Sequence, residues 1–349
     1  MKKLVFLGLF LFQFTALTAQ DQNSPNIILM IGDGMGLSQI TAGMYSIGNT
    51  TALEEFETIG LAKTHAYEQF VTDSAASGTA IACGEKTYNG VLGIDPKNQY
   101  LESILEYSQT QGYLTALLAT SSIVHATPAA FYANVDSRKK YQDIALQLSE
   151  SNVDYFIGGG RKHFVTRDDK RNLVKEMSAY EMVNTLNKFE KSQSKKIGFF
   201  TDDDEPKRLS EGRYPDLDKL VVATLDKLAT RKKPFFMMVE GSQIDWGGHA
   251  NELNYVLSEF EEFNNAIAAA VAFAKKQGNT IVIVTADHET GGLSLLKGDV
   301  ARNTVSGRFS TEGHTAAMVP VFAFGPGASS FSGIYENTSI FKKMKVLVQ

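Results

Sequence analysis

Three unbroken apolar runs in this chain each end on acids, and the pattern predicts buried strands carrying polar groups at their carboxyl ends. Asn26 to Ile31 (NIILMI) leads into Asp33, Pro234 to Val239 (PFFMMV) into Glu240, and Thr280 to Thr285 (TIVIVT) into Asp287 and His288. Short runs without polar alternation fit strands covered on both faces. Further strands are predicted over Tyr113 to Ala119, over Asp154 to Ile157 before three glycines, and over Val319 to Phe324 before Gly325-Pro326-Gly327. Between them, Leu217 to Leu228 and Glu252 to Lys276 read as helices, the second stopped by Gly278. The alternation implies an α/β fold, a three-layer sandwich with a mostly parallel central sheet flanked by helices. Residues 162–213 are polar and weakly periodic and are expected to form an excursion over the surface.

The carboxyl edge of such a sheet is where ligands bind, because the loops leaving parallel strands open a crevice there. One acid after a strand is more often a helix cap or turn former than a ligand. Three of them with an adjacent Asp-His pair carry more charge than the few nearby Lys and Arg residues neutralise, and buried carboxylates need cations or protons. Asp245 and His249 in IDWGGH and His314 in EGHT add nitrogen donors without any thiolate. That mixture suits zinc, with magnesium at an all-oxygen position. His65 and His163 lie in polar, loop-like sequence and read as ordinary surface residues, whereas His125 falls beside small residues in VHATP.

A nucleophile is available in VTDSAASGTA, where Asp73 and Ser74 precede a run of small, helix-compatible residues. Ser74 is then expected at a helix N-terminus, whose free amides and dipole attract an anion such as phosphate; a plain Asp/Ser cap is the simpler alternative. The GxSxG elbow of serine esterases is absent. A hydroxyl without a histidine base loses its proton by another route, and coordination to zinc supplies one.

Composition narrows the class. Hydrophobic residues are 43% and charged residues 21% of 349, the net charge is -5, and no basic run or basic amphipathic helix points to nucleic acid or a lipid surface. Lys2 and Lys3 before the apolar Leu4 to Ala19 read as a secretory signal peptide cleaved near Ala19, giving a periplasmic or secreted protein and one catalytic domain over 20–349. The lone Cys83 makes no internal disulfide and reads as a small buried apolar residue. Asp202 to Glu205 (DDDE) reads as a solvated loop, since the alternation and closing Glu of a calcium loop are missing.

Taken together, IGDGMG, VTDSAASGTA, KTYNG, HATPA, VEGSQID and TADHE occur in the order and at roughly the spacing found in alkaline phosphatases. The resemblance spans Asn26 to about Ile334 and looks closest to the compact cold-active enzymes of marine bacteria. It implies hydrolysis of small phosphate monoesters through a phosphoserine, two zinc ions and one magnesium ion per subunit, a homodimer and an alkaline optimum. Asp245, His249 and His314 would hold the first zinc, and Asp33, Asp287, His288 and Ser74 the second. Asp33, Thr127 and Glu240 would hold magnesium. Ser74 is the implied nucleophile and Arg138 in DSRKKY the phosphate clamp, with Asp73, His125 and Trp246 placed around the substrate.

Two positions depart from the best-known bacterial pattern: His125 stands where some members have Asp, and Trp246 where some have Lys. His125 either turns the third position from magnesium toward zinc or only hydrogen-bonds near it; Trp246 either weakens phosphate retention or forms a pocket wall. The short interval between His288 and His314 leaves little room for an added surface domain, which predicts an open cleft. A phosphodiesterase, a sulfatase or a mutase of the same superfamily, or a binding module without turnover, are the alternatives; the sulfatase Cys/Ser-x-Pro-x-Arg signature is missing at Ser74.

Overall fold

The computed structural model describes residues 24–348, so the signal-peptide segment lies outside the described residues. The first strands are β1 (Asn26–Gly32), β2 (Thr58–Lys63), β3 (Leu114–Ser122), β4 (Tyr155–Gly159), β5 (Glu181–Val183) and β6 (Ile197–Phe200). Next come β7 (Phe235–Gly241), β8 (Thr280–Thr285), β9 (Glu289–Thr290), β10 (Ser294–Asp299) and β11 (Thr304–Arg308). The last are β12 (His314–Thr315), β13 (Val319–Phe324) and β14 (Gly333–Glu336).

Ten of these form one sheet in the order β14-β2-β13-β8-β1-β7-β3-β4-β6-β5. Every pairing in it is parallel except those of β13, which runs antiparallel to both β8 and β2. The three acid-ended runs are the centre of this sheet: β1 lies between β7 and β8, and every residue of β7 and β8 is buried. Register aligns their ends, with Ile31 opposite both Glu240 and Thr285. Asp33, Glu240 and Asp287 therefore leave the sheet at nearly one level.

Helices cover both faces. The longest, Leu253–Gln277, ends in Lys275 and Lys276 and is closed by Gly278 at φ 73°, a left-handed cap that glycine adopts without strain. Its apolar side, including Phe260, Phe263 and Ile267, packs on the core. The helix Leu217–Thr230 runs beside it.

Residues 162–213 differ from the expected surface excursion. Their strands β5 and β6 extend the main sheet past β4, and Phe164, Leu173, Phe189, Ile197 and Phe199 are at most 1% exposed. The fully buried residues come singly, one per short helix (Lys162–Val165, Leu173–Glu176, Leu186–Lys191), too sparsely to show a period. The DDDE loop leaves Asp203 and Asp204 exposed, as expected, yet its carbonyls accept bonds from Gly160 and Lys162, and Glu205 Oε2 accepts from Ser122 N at 2.6 Å.

The end of this segment is tied down by Arg213, which donates to Glu259 and Glu262 on Leu253–Gln277 with all three side chains at most 5% exposed. The same carboxylates accept from Leu209 N and Leu217 N at 3.0 and 3.1 Å. Removing the cation leaves two buried carboxylates short of their partner, so Arg213→Ala is expected to cost about 3–5 kcal/mol in urea unfolding. Lys275→Ala, which breaks an exposed pair with Glu55, is expected to cost under about 1 kcal/mol; equal effects would contradict this account.

Candidate functional site

Asp33 is the first residue past β1, its N–H held by Gly241 O at 3.1 Å. Gly34 follows at φ 71°, and a Cβ there would lie 2.8 Å from Asp245 Cα, so the turn needs a glycine both for its conformation and for room. Asp287 Oδ1 accepts from Gly34 N at 3.1 Å and from His288 N at 2.9 Å, which aims Oδ2 into the crevice. His288 Nε2 lies 3.1 Å from Asp287 Oδ2, 3.4 Å from Asp33 Oδ1 and 3.3 Å from Ser74 Oγ.

Ser74 opens the helix Ser74–Cys83, and the carboxylate of Asp73 caps it by accepting from Ala76 N at 2.9 Å. The cap and the nucleophile position thus coexist in one turn. Asp73 Oδ2 also takes Gly90 N at 3.0 Å and Arg138 Nη1 at 3.2 Å. Arg138 Nη2 lies 3.3 Å from His125 Nε2, and His125 meets Trp246 edge to face at 6.0 Å.

A second group forms on the short helix Gln243–His249, where the i,i+4 spacing puts Asp245 and His249 on one side, their Oδ2 and Nε2 atoms 3.3 Å apart. His314 arrives on β12, with Nε2 3.1 Å from His249 Nε2 and 3.5 Å from Asp245 Oδ1. The Nδ1 atoms of both histidines are tied to backbone oxygens, His249 to Glu312 O at 2.5 Å and His314 to Thr72 O at 2.8 Å. That leaves both Nε2 atoms directed at Asp245. A third group joins Asp33, His125 and Glu240, with Thr127 Oγ1 3.4 Å from Asp33 Oδ2 and Ser121 Oγ 3.3 Å from Glu240 Oε2.

Within each of the sets Asp245–His249–His314, Asp33–Asp245–His288 and Asp33–His125–Glu240, one donor atom per residue falls within 4.8 Å of the others. Asp33 Oδ1, Asp287 Oδ2, Glu240 Oε1 and His125 Nδ1 are buried without a hydrogen-bond partner. Orphaned carboxylate oxygens beside imidazole nitrogens are a donor set that fits zinc and magnesium. All thirteen residues singled out in the sequence come to this one crevice or its rim, whereas His65 pairs with Glu336 at 3.0 Å and His163 packs against Tyr141, and neither joins any of the three sets. Sequence reading passed over Thr290 and Ser121, hydroxyl residues that bond Asp245, His288 and Glu240 and have no motif of their own.

With protein groups alone as partners, the charges conflict. Burial, then repulsion from Asp287, Asp245 and Glu240, pushes the Asp33 carboxyl well above its usual range. Burial likewise raises Glu240 to about 7. Burial opposes ionisation of Asp245 too, but the hydrogen bond with His249 and the field of His288 and His314 outweigh it and hold it below the ordinary carboxylate range. That hydrogen bond raises His249 to about 9. His125 falls to about 3 through burial and Arg138, and His314 to about 4 through burial and His288.

A helix-capped serine facing two sets of acid and histidine donors, with an arginine fork beside it, belongs to a hydrolase built for phosphoryl groups and metal ions. The family model described as Alkaline phosphatase matches residues 24–307, and the chain belongs to that family, whose members hydrolyse phosphate monoesters. Alkaline phosphatase 4 of Bacillus subtilis is 34% identical, the match covering 98% of this chain and 94% of that protein. The alkaline phosphatase of the Antarctic bacterium TAB5 is 40% identical, with a TM-score of 0.88 over 93% of this chain and 98% of that one. A cold-active alkaline phosphatase from a psychrophilic Shewanella is 30% identical, with a TM-score of 0.85 over 93% and 100%. A variant of the TAB5 enzyme in which a histidine is replaced by aspartate has magnesium bound in the site called M3.

The raised acids give the metal-stripped protein a defined pH response. Glu240 at about 7 against an ordinary 4.5, and His249 at about 9 against 6.5, mean that the folded state binds more protons than the unfolded one as pH rises toward 9. His125 and His314 act in the opposite sense only below 6.5. Stability of the chelator-treated protein is therefore expected to fall from pH 6.5 to pH 9. Thermal unfolding at the two pH values checks this, and a flat or rising Tm would contradict it.

Proposed function

We propose that the protein is a phosphomonoesterase that uses two zinc ions and one magnesium ion and turns over through a phosphoserine at Ser74. The observation that carries this reading is the placement of Ser74 Oγ, 2% exposed at a helix N-terminus and 3.3 Å from the His288 nitrogen that Asp33 and Asp287 flank. Asp245, His249 and His314 would hold one zinc, Asp33, Asp287, His288 and Ser74 the other, and Asp33, Thr127 and Glu240 the magnesium. When bound, the metals supply Lewis acidity that lowers the pKa of the attacking and departing oxygens and stabilises charge in line.

The chain's own groups do the rest. Arg138 presents two parallel N–H donors to two phosphoryl oxygens, held at that angle by Asp73. The first-turn amides of Ser74–Cys83 add partial positive charge beneath the phosphoryl group. Ser74 Oγ forms a bond to phosphorus as the ester P–O bond breaks, and the departing alkoxide leaves as the alcohol after taking a proton. Water then attacks phosphorus, the Ser74 Oγ–P bond breaks, and inorganic phosphate leaves with the Ser74 hydroxyl restored. Trp246 and His125 form the wall beside Arg138. Export after cleavage near Ala19 and assembly as a homodimer complete the reading, which light scattering on the mature protein tests.

Loss of the nucleophile is expected to lower kcat of Ser74→Ala by at least about 10³-fold on an aryl phosphate. Arg138→Ala is expected to lower kcat/KM for a monoester by about 10–100-fold, the worth of a charge-assisted pair, while changing a matched diester far less. Diester preference in the parent protein would move the reading to a phosphodiesterase, and no turnover of either to a binding protein.

His125 occupies the third donor set, where a carboxylate would add the hard oxygen ligand that magnesium favours. Metal analysis of His125→Asp, loaded with zinc and magnesium in competition, is expected to show a third position that keeps magnesium against a higher zinc concentration than the parent protein does. Unchanged metal content would remove His125 from the third site.

A further inference from the structure

Thr290 takes no part in the scheme above, and the inference about it rests on that scheme's two zinc positions. It is fully buried on β9, opposite His314 in the ladder with β12. Its hydroxyl oxygen lies 2.5 Å from Asp245 Oδ1 and 3.2 Å from His288 Nδ1. Asp245 belongs to one inferred zinc position and His288 to the other.

The hydrogen bookkeeping is determined by valence. A threonine hydroxyl has one proton and lone pairs to accept with. The short contact to a carboxylate, which is acceptor only, takes that proton. A lone pair of Oγ1 then faces His288 Nδ1, so Nδ1 must carry hydrogen and donate. The other ring nitrogen, Nε2, is left with its lone pair free, and Nε2 is the atom directed at Ser74, Asp33 and Asp287. A neutral imidazole whose far nitrogen donates to an oxygen is the form that ligates metals, with ring orientation and basicity set by that partner.

The side chain is not free to turn away. Thr290 N donates to Gly34 O at 3.2 Å, and Thr290 O accepts from Gln39 Nε2 at 2.8 Å. Its methyl side fills space left at Gly248, where a Cβ would come within 2.9 Å of Thr290 Cγ2, and its hydroxyl lies where a Cβ on Gly34 would come within 2.7 Å.

We propose that Thr290 is a positioning residue that joins the two zinc positions in one hydrogen-bonded unit, fixing the tautomer of His288 and the orientation of Asp245 together. One hydroxyl thereby serves a ligand of each zinc position, so its loss weakens both positions rather than one.

The test is zinc affinity, measured on parent, Thr290→Val and Thr290→Ser proteins by competition with a chromogenic chelator, alongside kcat and KM at saturating zinc. Valine keeps the shape and removes the hydroxyl, and serine keeps the hydroxyl. Thr290→Val is expected to bind zinc about 10–100-fold more weakly, the usual effect of removing a partner behind the ligands. Thr290→Ser is expected to restore binding, which a purely packing role for the methyl group would not produce. Undiminished zinc affinity in Thr290→Val overturns the inference while leaving the proposed function intact. A parent protein that binds no zinc overturns both. Should the valine protein fail to fold, Thr290→Ala against Thr290→Ser makes the same comparison, and equal zinc affinity in those two overturns the inference.

Discussion

Negative charge concentrated at the aligned ends of three central strands is the constraint on which the rest of this structure depends. Parallel pairing of β7, β1 and β8 brings Glu240, Asp33 and Asp287 to one level, and full burial denies them water. Carboxylates so placed repel one another, and the pairing that creates the problem also holds the sheet together. The fold answers with positive and dipolar groups brought in from elsewhere: imidazoles at His288, His249 and His314, the amide-rich start of Ser74–Cys83, and the Arg138 fork. Metal ions are the remaining counter-charge, and the orphaned oxygens of Asp33, Asp287 and Glu240 are where the protein alone does not supply one.

Ligands reach the crevice by unequal routes. Asp33, Asp287 and His288 need only the strand that precedes them. His314 needs a detour, because β10 and β11 intervene before the two-residue pairing of β12 with β9 returns the chain. Glu289, beside His288, secures that return: its carboxylate accepts from Gln39, Gly292, Leu293 and Thr315. A carboxylate that bears no catalytic role thus holds two histidines from distant segments against each other, their rings 3.5 Å apart.

The strands that were legible in the sequence are those buried on both faces, because burial makes the apolar run continuous, and their acids were legible because nothing apolar disguises them. The helix Leu253–Gln277 was visible through its period and its glycine stop. Residues 162–213 were misread as surface because each short helix contributes one fully buried anchor, such as Phe164 or Phe189, and a single anchor has no period. Thr290 and Ser121 were invisible for another reason: a hydroxyl that orients a ligand is specified by three-dimensional proximity, and no spacing along the chain encodes it.

Residues 33, 74, 245, 249, 288 and 314 come from nearly the whole described length, and one cysteine allows no internal covalent bridge. An ion shared by Asp33 and His288 would close a loop of roughly 255 residues, and loop closure costs entropy that rises only with the logarithm of loop length. The metals would then act as detachable staples, making the lifetime of the folded chain depend on how slowly ions escape as well as on how well the core packs.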